Sequence, residues 1–320
     1  MEKIDFRLAT DEDKYGIADF LALSSPYPRP IKYWEWINSD KNFPGSFVVI
    51  ATQMDKVVGH YAVSIREFSI FGVLKKVGVA SQTLIHPSYR KLQILLDISN
   101  FLKDICQKKD LYMVIGFPND NLYRINKKLL EWNQLTDVSQ LELSKDKLTK
   151  QPLDFLKVRA FKFDNKFNQL IEFNNQKDTN IKESLTIDIL NWRYFEHPLT
   201  NYAVFISQDY KKLINGFIVI KLYHSNEGLK GHIMEVSTFD DLNTIDFLLK
   251  SAFSYFNWAN CDSVSLWSSK GDYKYSHLEK MGFKENSTIS HLQVLSFSDI
   301  KNDVFNDNNW DLSMRMSDAY

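Results

Sequence analysis

The residues best placed to do chemistry lie in one stretch, Ser81 to Leu95, SQTLIHPSYRKLQIL, and in the Gly116-Phe117-Pro118-Asn119 segment beyond it. The order of residue types reads as a strand, a basic turn, an amphipathic helix, a buried strand and a polar loop. Such a βαβ unit brings a strand end and a helix start to one point. The first amides of a helix have no partner within it and face outward, which suits an anion such as a phosphate. Arg90 and Lys91 add positive charge there. No glycine lies between Arg90 and Leu95, although close backbone approach to a phosphate usually uses one.

The elements that must position this turn follow from periodicity. Phe6 to Thr10 predicts a strand, and Thr10 or Asp11 caps a helix through Leu23 with acids in its first turn. The cluster Pro26-Tyr27-Pro28-Arg29-Pro30 forces a loop. Phe47 to Gln53 and Lys56 to Ile65 alternate and form a hairpin over Met54-Asp55. Val77 to Ile85 is a further strand, ended by His86-Pro87. Leu95, Ile98, Leu102 and Ile105 mark one face of a helix from Leu92 to Lys108. Leu111 to Phe117 is a doubly buried strand, and Asn119-Asp120-Asn121 caps a helix reaching Trp132. Residues 144–182 are polar and lysine-rich, and read as a connection. A helix over 185–194 and strands at 202–207, 216–222 and 232–239 come next. A helix then runs from Asp240-Asp241 to Phe256, followed by a strand at 263–267 and a helix at 273–281 closed by Gly282. Strand returns from Phe283, and Leu292 to Phe297 is the last one. The tail from Asp299 is polar and reads as poorly ordered.

Composition narrows the function. The chain has 320 residues, 44% hydrophobic and 25% charged, with a formal net charge of −1. That length exceeds what one core usually serves, so two domains are expected. A charge this close to zero gives no field to gather nucleic acid or an anionic membrane. The two cysteines, Cys106 and Cys261, have no CxxC spacing and suggest neither zinc nor a disulfide framework. The charged N-terminus is unlike a signal peptide, and no apolar run is long enough to span a membrane. A cytoplasmic location is expected. Asp5, Asp11 and Asp13 read as helix-start charge, so no metal is expected. Phosphate-loop, zinc-protease and serine-hydrolase motifs are absent. The aromatics of Tyr33-Trp34-Glu35-Trp36 are read as core, with a groove as the other option.

The two halves repeat one order of elements without obvious identity: hairpin, strand, helix, buried strand, polar loop, helix. VVGHYAV at 57–63, SQTLIHPSYR at 81–90 and GFPNDNLYR at 116–124 resemble the GCN5-related N-acetyltransferase fold. SLWSSKGDYKYSHLEKMGF at 265–283 resembles a second, degenerate copy, and LNWRYFEHP at 190–198 resembles the junction of tandem members. The implied class is α/β, in the α+β sense. It comprises two such domains in tandem, each a mixed, mainly antiparallel sheet flanked by helices. The boundaries are 1–145, a connection at 146–182, a second domain at 183–300 and a polar tail at 301–320.

The resemblance implies acetyl-CoA as donor. Its arm would pair with a splayed strand at Thr83, Leu84 and Ile85, and its pyrophosphate would sit on Arg90, Lys91, Leu92, Gln93, Ile94 and Leu95, with Asn121 nearby. Lys91, Gln93 and Leu95 stand where the family usually has glycine. In the second copy, Asp240 and Asp241 would repel a pyrophosphate, so that copy is expected to wall the acceptor groove instead. The family's proton donor is often a tyrosine near the position of Asn126 or Lys127, and Tyr123 is the nearest phenol. Glu67 is the candidate base, beside Glu35, His60 and His86; His60 reads as a satisfied core histidine and His86 as a shaper of the turn. Proximity alone supplies much of the acceleration in such a transfer. The implied activity is N-acetylation of a small-molecule amine, with an amino sugar suggested by tandem members linked to surface polysaccharide. The acceptor groove would lie near the domain interface. Two alternatives stand beside it: a non-catalytic binding protein, and an aminoacyl-tRNA-dependent peptidyltransferase.

Overall fold

The computed structural model describes residues 3–24, 30–38, 41, 43–148, 155–177, 181–226, 228–297 and 302–317. They fall into two compact units. One holds Met1–Phe68, Lys75–Thr136 and His291–Lys301, and the other holds Ser69–Leu74, Asp137–Ser290 and Asn302–Tyr320. In chain order the elements begin with β1 (Asp5–Leu8), α1 (Lys14–Ser24), α2 (Ile31–Ile37), β2 (Phe47–Gln53), β3 (Lys56–Ile70), β4 (Val73–Ile85), α3 (Leu92–Lys108), β5 (Met113–Gly116), α4 (Asp120–Leu129) and β6 (Asn133–Ser144). They continue with β7 (Arg159–Ala160), α5 (Asn168–Asn175), β8 (Ile181–Glu183), α6 (Ile187–Tyr194), β9 (Tyr202–Gln208), β10 (Ile214–Ser225), β11 (Gly228–Thr238), α7 (Leu242–Trp258), β12 (Ser263–Trp267), α8 (Tyr275–Lys280) and β13 (Lys284–Ser296). The loop expected over Pro26 to Arg29 lies outside the described residues.

In the first unit β1 to β5 follow one another in the sheet, and β5 pairs antiparallel with the second half of β13. β4 and β5 run parallel, joined by α3. Alternation on β2 sorts its side chains. Phe47, Val49 and Ala51 pack with Ile94, Ile98 and Leu102 of α3. Val48 and Ile50 face Ile17, Phe20 and Leu21 of α1. Met54 and Asp55 both take left-handed φ, 48° and 60°. That is the mirror-image turn whose twist matches a two-residue hairpin.

The second unit orders its strands as the first half of β13, then β6, β12, β11, β10, β9 and β7. β11 and β12 run parallel, again across a helix. Ile245, Leu248, Leu249, Ala252 and Phe256 of α7 form its core with the sheet. The repeat is exact in places. Both α3 and α7 have 17 residues. The left-handed residues that end them, Asp110 and Asn260, are offset by the same 150 positions as Leu92 and Leu242. Each parallel ladder sets a glycine opposite a valine, Gly78 to Val114 and Gly231 to Val264. Neither glycine has room for a Cβ, which would come within 2.8 Å of Val63 in one case and 2.5 Å of the Phe256 ring in the other.

Three segments differ from the sequence reading. Residues expected as separate strands after Phe283 are one strand, β13, which starts in the second unit and ends in the first. The connection contains α5 and β8, whose apolar residues Leu170 and Ile181 are buried. The tail beyond Asn302 is also packed: Val304, Trp310, Leu312, Met314 and Met316 are buried. Its composition is polar on average, but these five apolar residues turn inward.

Arg315 pins this tail. Its guanidinium is buried, donates from Nε to Glu235 at 2.6 Å and also pairs with Glu183. Burial opposes its charge, but the two carboxylates outweigh burial and raise its pKa. Tyr194 donates to the same Glu235 at 3.0 Å. Removing the cation leaves two buried carboxylates uncompensated. Arg315→Ala is therefore expected to lower unfolding free energy by about 3–5 kcal/mol, read from the urea midpoint.

Candidate active site

The parallel ladder of β4 and β5 stops at the pair Ala80 and Gly116. β5 ends there, while β4 runs on to Ile85. The segment from Ser81 to Ile85 therefore has no β5 partner along one edge, and a fork opens between the strands. Gln82, the only non-glycine residue inside a described strand with left-handed φ, sits in this segment at 51°. Such a conformation costs on the order of 1 kcal/mol and needs support from its surroundings.

The support is a buried histidine. Trp34 Nε1 donates to His60 Nε2 at 3.1 Å, and His60 Nδ1 faces the Gln82 carbonyl at 2.9 Å. With Nε2 accepting, the proton must sit on Nδ1, so the ring bridges α2 to the bent strand as a neutral tautomer. Burial lowers its pKa to about 4, against the opposing pull of the Gln82 carbonyl. His60 is thus a satisfied core histidine, as the sequence predicts. The YWEW aromatics divide: Tyr33 and Trp36 are buried, and Trp34 makes this bond.

Past the kink, side chains leave the fork on both faces. Leu84 packs with the α1 cluster, and Ile85 with the α3 cluster. Thr83 meets the buried Tyr61 phenol. What remains at the edge is backbone. Three buried polar atoms in this region have no partner among the described residues: Ser81 Oγ, Gln82 Oε1 and Asn126 Oδ1. Asn126 donates its amide to Gln293 at 2.9 Å, and Gln293 lies opposite Gly116 in the ladder. Asn126 thereby stands near the end of β5. Buried polar atoms without partners are uncommon in folded proteins.

The turn that follows is compact. His86 Nδ1 accepts from the Ser88 amide at 3.2 Å, and Tyr89 Oη donates to Gln53 at 2.6 Å. Lys91 caps α3 in extended backbone, with no side-chain cap and no acid in the first turn. The amides divide clearly. Those of Arg90, Lys91 and Ile94 donate to Pro87, Tyr89 and Lys91 carbonyls. Leu92 and Gln93, the first two residues of α3, keep outward amides as an anion seat, because the amides of a helix's first turn have no partner within it. The Gln93 side chain is drawn down the helix to Asp97 at 2.8 Å, and Leu95 packs against the core. Neither residue covers the seat. Ile94 is buried, Leu92 is half exposed, and Arg90 is exposed with its Nε 3.4 Å from the Ile85 carbonyl.

The acid and base candidates are placed otherwise. Tyr123 stacks on His291 with ring centroids 4.1 Å apart, and its phenol donates to Gln134. Its proton is already committed. Glu67 is exposed near the far end of β3. Gly59, eight residues earlier on that strand, is the one beside Ile85. At ~3.3 Å per residue this puts Glu67 about 26 Å from Ile85. Asn121 is exposed in the first turn of α4, which Asn119 caps at 3.0 Å from the Leu122 amide. The structure therefore gathers residues 81–85 and 90–93 and leaves Glu67 apart. Sequence reading missed the trio of Trp34, His60 and Gln82, and it missed Gln293. Nothing in a residue string marks a left-handed glutamine within a strand.

The second fork is built the same way and filled. β11 and β12 part after Ile233 and Leu266, and β11 continues to Thr238. Asp241 caps α7, accepting from the amides of Asn243 and Thr244 at 3.1 and 3.0 Å. The amide of Asn243, the counterpart of Gln93 on α3, is thus occupied on α7. Glu235 of this fork holds the buried Arg315 of the tail.

No family model and no curated protein matches the sequence. Solved structures do. A GCN5-related N-acetyltransferase from Anabaena variabilis aligns at TM-score 0.68 and 14% identity, over 91% of this chain and 72% of that one. A conserved protein of unknown function from Enterococcus faecalis, described as a probable N-acyltransferase, aligns at 0.67 and 10%, over 92% and 72%. N-myristoyltransferase of Saccharomyces cerevisiae with bound myristoyl-CoA aligns at 0.59 and 10%, over 93% and 80%. At these identities the likeness concerns the fold. The chain has the fold of the GCN5-related N-acetyltransferases, in two tandem copies.

Proposed function

We propose that the first unit is an N-acyltransferase that takes an acyl group from a coenzyme A thioester, with acetyl-CoA as donor and a small-molecule amine as acceptor. The observation that carries this reading is the cluster of unpartnered buried polar atoms, Ser81 Oγ, Gln82 Oε1 and Asn126 Oδ1, around a strand edge stripped of its neighbour. A purely structural fork would close over such groups or pair them. The fold neighbours include acyltransferases, which supports the same class.

The residues fit the donor. The edge from Ser81 to Ile85 offers backbone groups to an amide-bearing arm. The amides of Leu92 and Gln93, with Arg90 and Lys91 beside them, offer a seat for phosphate at a helix start with no acid in its first turn. The glycine-free turn is compatible with this because the Gln93 and Leu95 side chains are directed elsewhere. Chemically, transfer requires a neutral amine nitrogen to attack the thioester carbonyl, a donor for the oxygen as charge develops, and release of the thiolate as the carbon–sulfur bond breaks, the thiolate taking up the proton that the amine loses. A backbone amide beside the Gln82 kink would supply the donor. Gln82 Oε1 and Asn126 Oδ1 would accept from the amine, and the Ser81 hydroxyl would donate to the charge that develops. No carboxylate is placed as a base at the fork, so catalysis would rest on positioning.

A second reading, a donor-binding protein without turnover, draws on the committed Tyr123 proton and the distance of Glu67. The two readings part in one experiment. Acetyl-CoA at about 1 mM is expected to raise the melting temperature, because a ligand at 100 times its Kd adds ~2.7 kcal/mol. Arg90→Glu is expected to abolish the shift. Thiol release with a panel of amines then separates enzyme from binder. An unchanged melting curve would defeat both.

Ser81→Ala is expected to lower kcat by about 10–100-fold while leaving the acetyl-CoA Kd within about threefold, since a group used only as charge develops acts on the chemical step. Equal effects on both would point to a structural serine.

The His60 pin also gives a pH signature. Its folded pKa, about 4, lies below the ordinary value of 6.5. The unfolded chain therefore binds the proton more readily, and stability is complete above pH 6.5. It falls as pH drops through that window and levels off below pH 4, by about 3 kcal/mol from this residue. Urea midpoints measured across the range, in the parent chain and in His60→Gln, test this. A slope unchanged by the substitution would assign the loss elsewhere.

A further inference from the structure

The filled fork of the second unit is not solid. A cavity of about 60 Å³ lies beside Met234, Glu235 and Leu266, and a larger one of about 310 Å³ adjoins it. Asp272, Lys274 and Asp311 line both. Together they reach the low end of the volumes that hold small ligands, ~300–1,000 Å³. They lie beyond the carboxyl ends of two parallel strands, where open α/β sheets bind ligands.

Most charges around this space are already matched. Lys274 pairs with Asp272 at 2.8 Å, Lys177 pairs with Asp240, and Arg315 pairs with Glu183 and Glu235. Two are not. Lys182 is buried, 5% exposed, and its ammonium donates to the Asn174 carbonyl but meets no carboxylate within ion-pair distance among the described residues. Burial lowers its pKa to about 8, with Asp311 pulling the other way, so it stays largely charged at neutral pH. Asp311 has no side-chain hydrogen bond or ion pair among the described residues; only its backbone is engaged, donating to Ile181 at 3.0 Å. Ser313 Oγ, also on the cavity wall, is buried without a partner.

A cation and an anion thus line one cavity with no hydrogen bond or ion pair between them among the described residues, although each feels the other's charge. Leaving a buried ammonium half compensated is costly. The complement is a small zwitterion with a carboxylate for Lys182 and an ammonium for Asp311, and the small volume that both residues line, about 60 Å³, favours a compact one. We propose that the second unit binds a free α-amino acid in this cavity, with its carboxylate on Lys182, its ammonium on Asp311 and its side chain in the larger lobe. The site does not depend on whether the first unit transfers an acyl group.

Calorimetric titration of the full chain tests this. The probes are the common L-α-amino acids, each matched with its decarboxylated amine and its deaminated acid. At least one amino acid is expected to bind one-to-one, with both single-charge analogues at least about tenfold weaker, as for loss of one charged hydrogen bond. Asp311→Asn is expected to weaken the amino acid about tenfold and to leave the deaminated acid unchanged. This variant keeps the shape of Asp311 and removes only its charge, whose field reaches Lys182 and Lys274, and a thermal melt of the variant alone checks that it stays folded. Lys182→Met is expected to do the converse. No saturable binding up to ~10 mM overturns the proposal, as does binding indifferent to Asp311→Asn. Equal binding by a single-charge analogue overturns the zwitterion and assigns the cavity to an ion.

Discussion

The loss of pairing after Ala80 and Gly116 is the constraint from which the site follows. Up to that point β4 is held on both edges, with Gly78 letting Val63 and Val114 close around it. Beyond it one edge has no strand, and the backbone would ordinarily collapse onto a neighbour or take water. Here the Gln82 kink bends the chain, and the bend is held through its carbonyl by His60. That single bond links a strained residue to a neutral imidazole fixed at its other nitrogen by Trp34. The strain is local, but its support comes from a helix distant in sequence.

Neutrality of His60 is what lets this support work. A charged ring would have to donate from both nitrogens, and the indole of Trp34 has only a hydrogen to offer. Burial and the indole therefore act together to keep Nε2 as an acceptor. The same logic runs differently in the second unit, where the fork residue Glu235 is matched by the buried Arg315. One fork is shaped by neutral hydrogen bonds and left with unpartnered atoms. The other is locked by buried ions and filled by the tail. The copies share a framework and differ in whether the fork is vacated or occupied by the chain itself.

Much of the framework was legible in the sequence because it follows from periodicity. The α3 face of Ile98 and Leu102, the apolar run ending in β5 and the capping asparagine Asn119 each carry a local signal. The start of α3 at Leu92 was located to the residue, together with the glycine-free turn before it. What the missing glycines mean was not legible. It depends on where Gln93 and Leu95 send their side chains, and a helical i to i+4 bond to Asp97 settles one of them. The tail was misread for a related reason. Averaged polarity hides Trp310, Leu312, Met314 and Met316, which are few but all buried.

Acid–base candidates were the least legible part, since they depend on strand length and on competing partners. Glu67 looked close to the hairpin because the strand was expected to end at Ile65. β3 instead continues to Ile70, and each added residue carries Glu67 further from the fork. Tyr123 failed for another reason: a phenol near the right helix is useful only if its proton is uncommitted, and Gln134 lies across an intervening turn that no local pattern connects to it. The groups that do stand at the fork are amides and a hydroxyl. Chemistry built from them favours reactions in which orientation and hydrogen bonding carry the barrier and no strong base is needed, and aminolysis of a thioester is such a reaction.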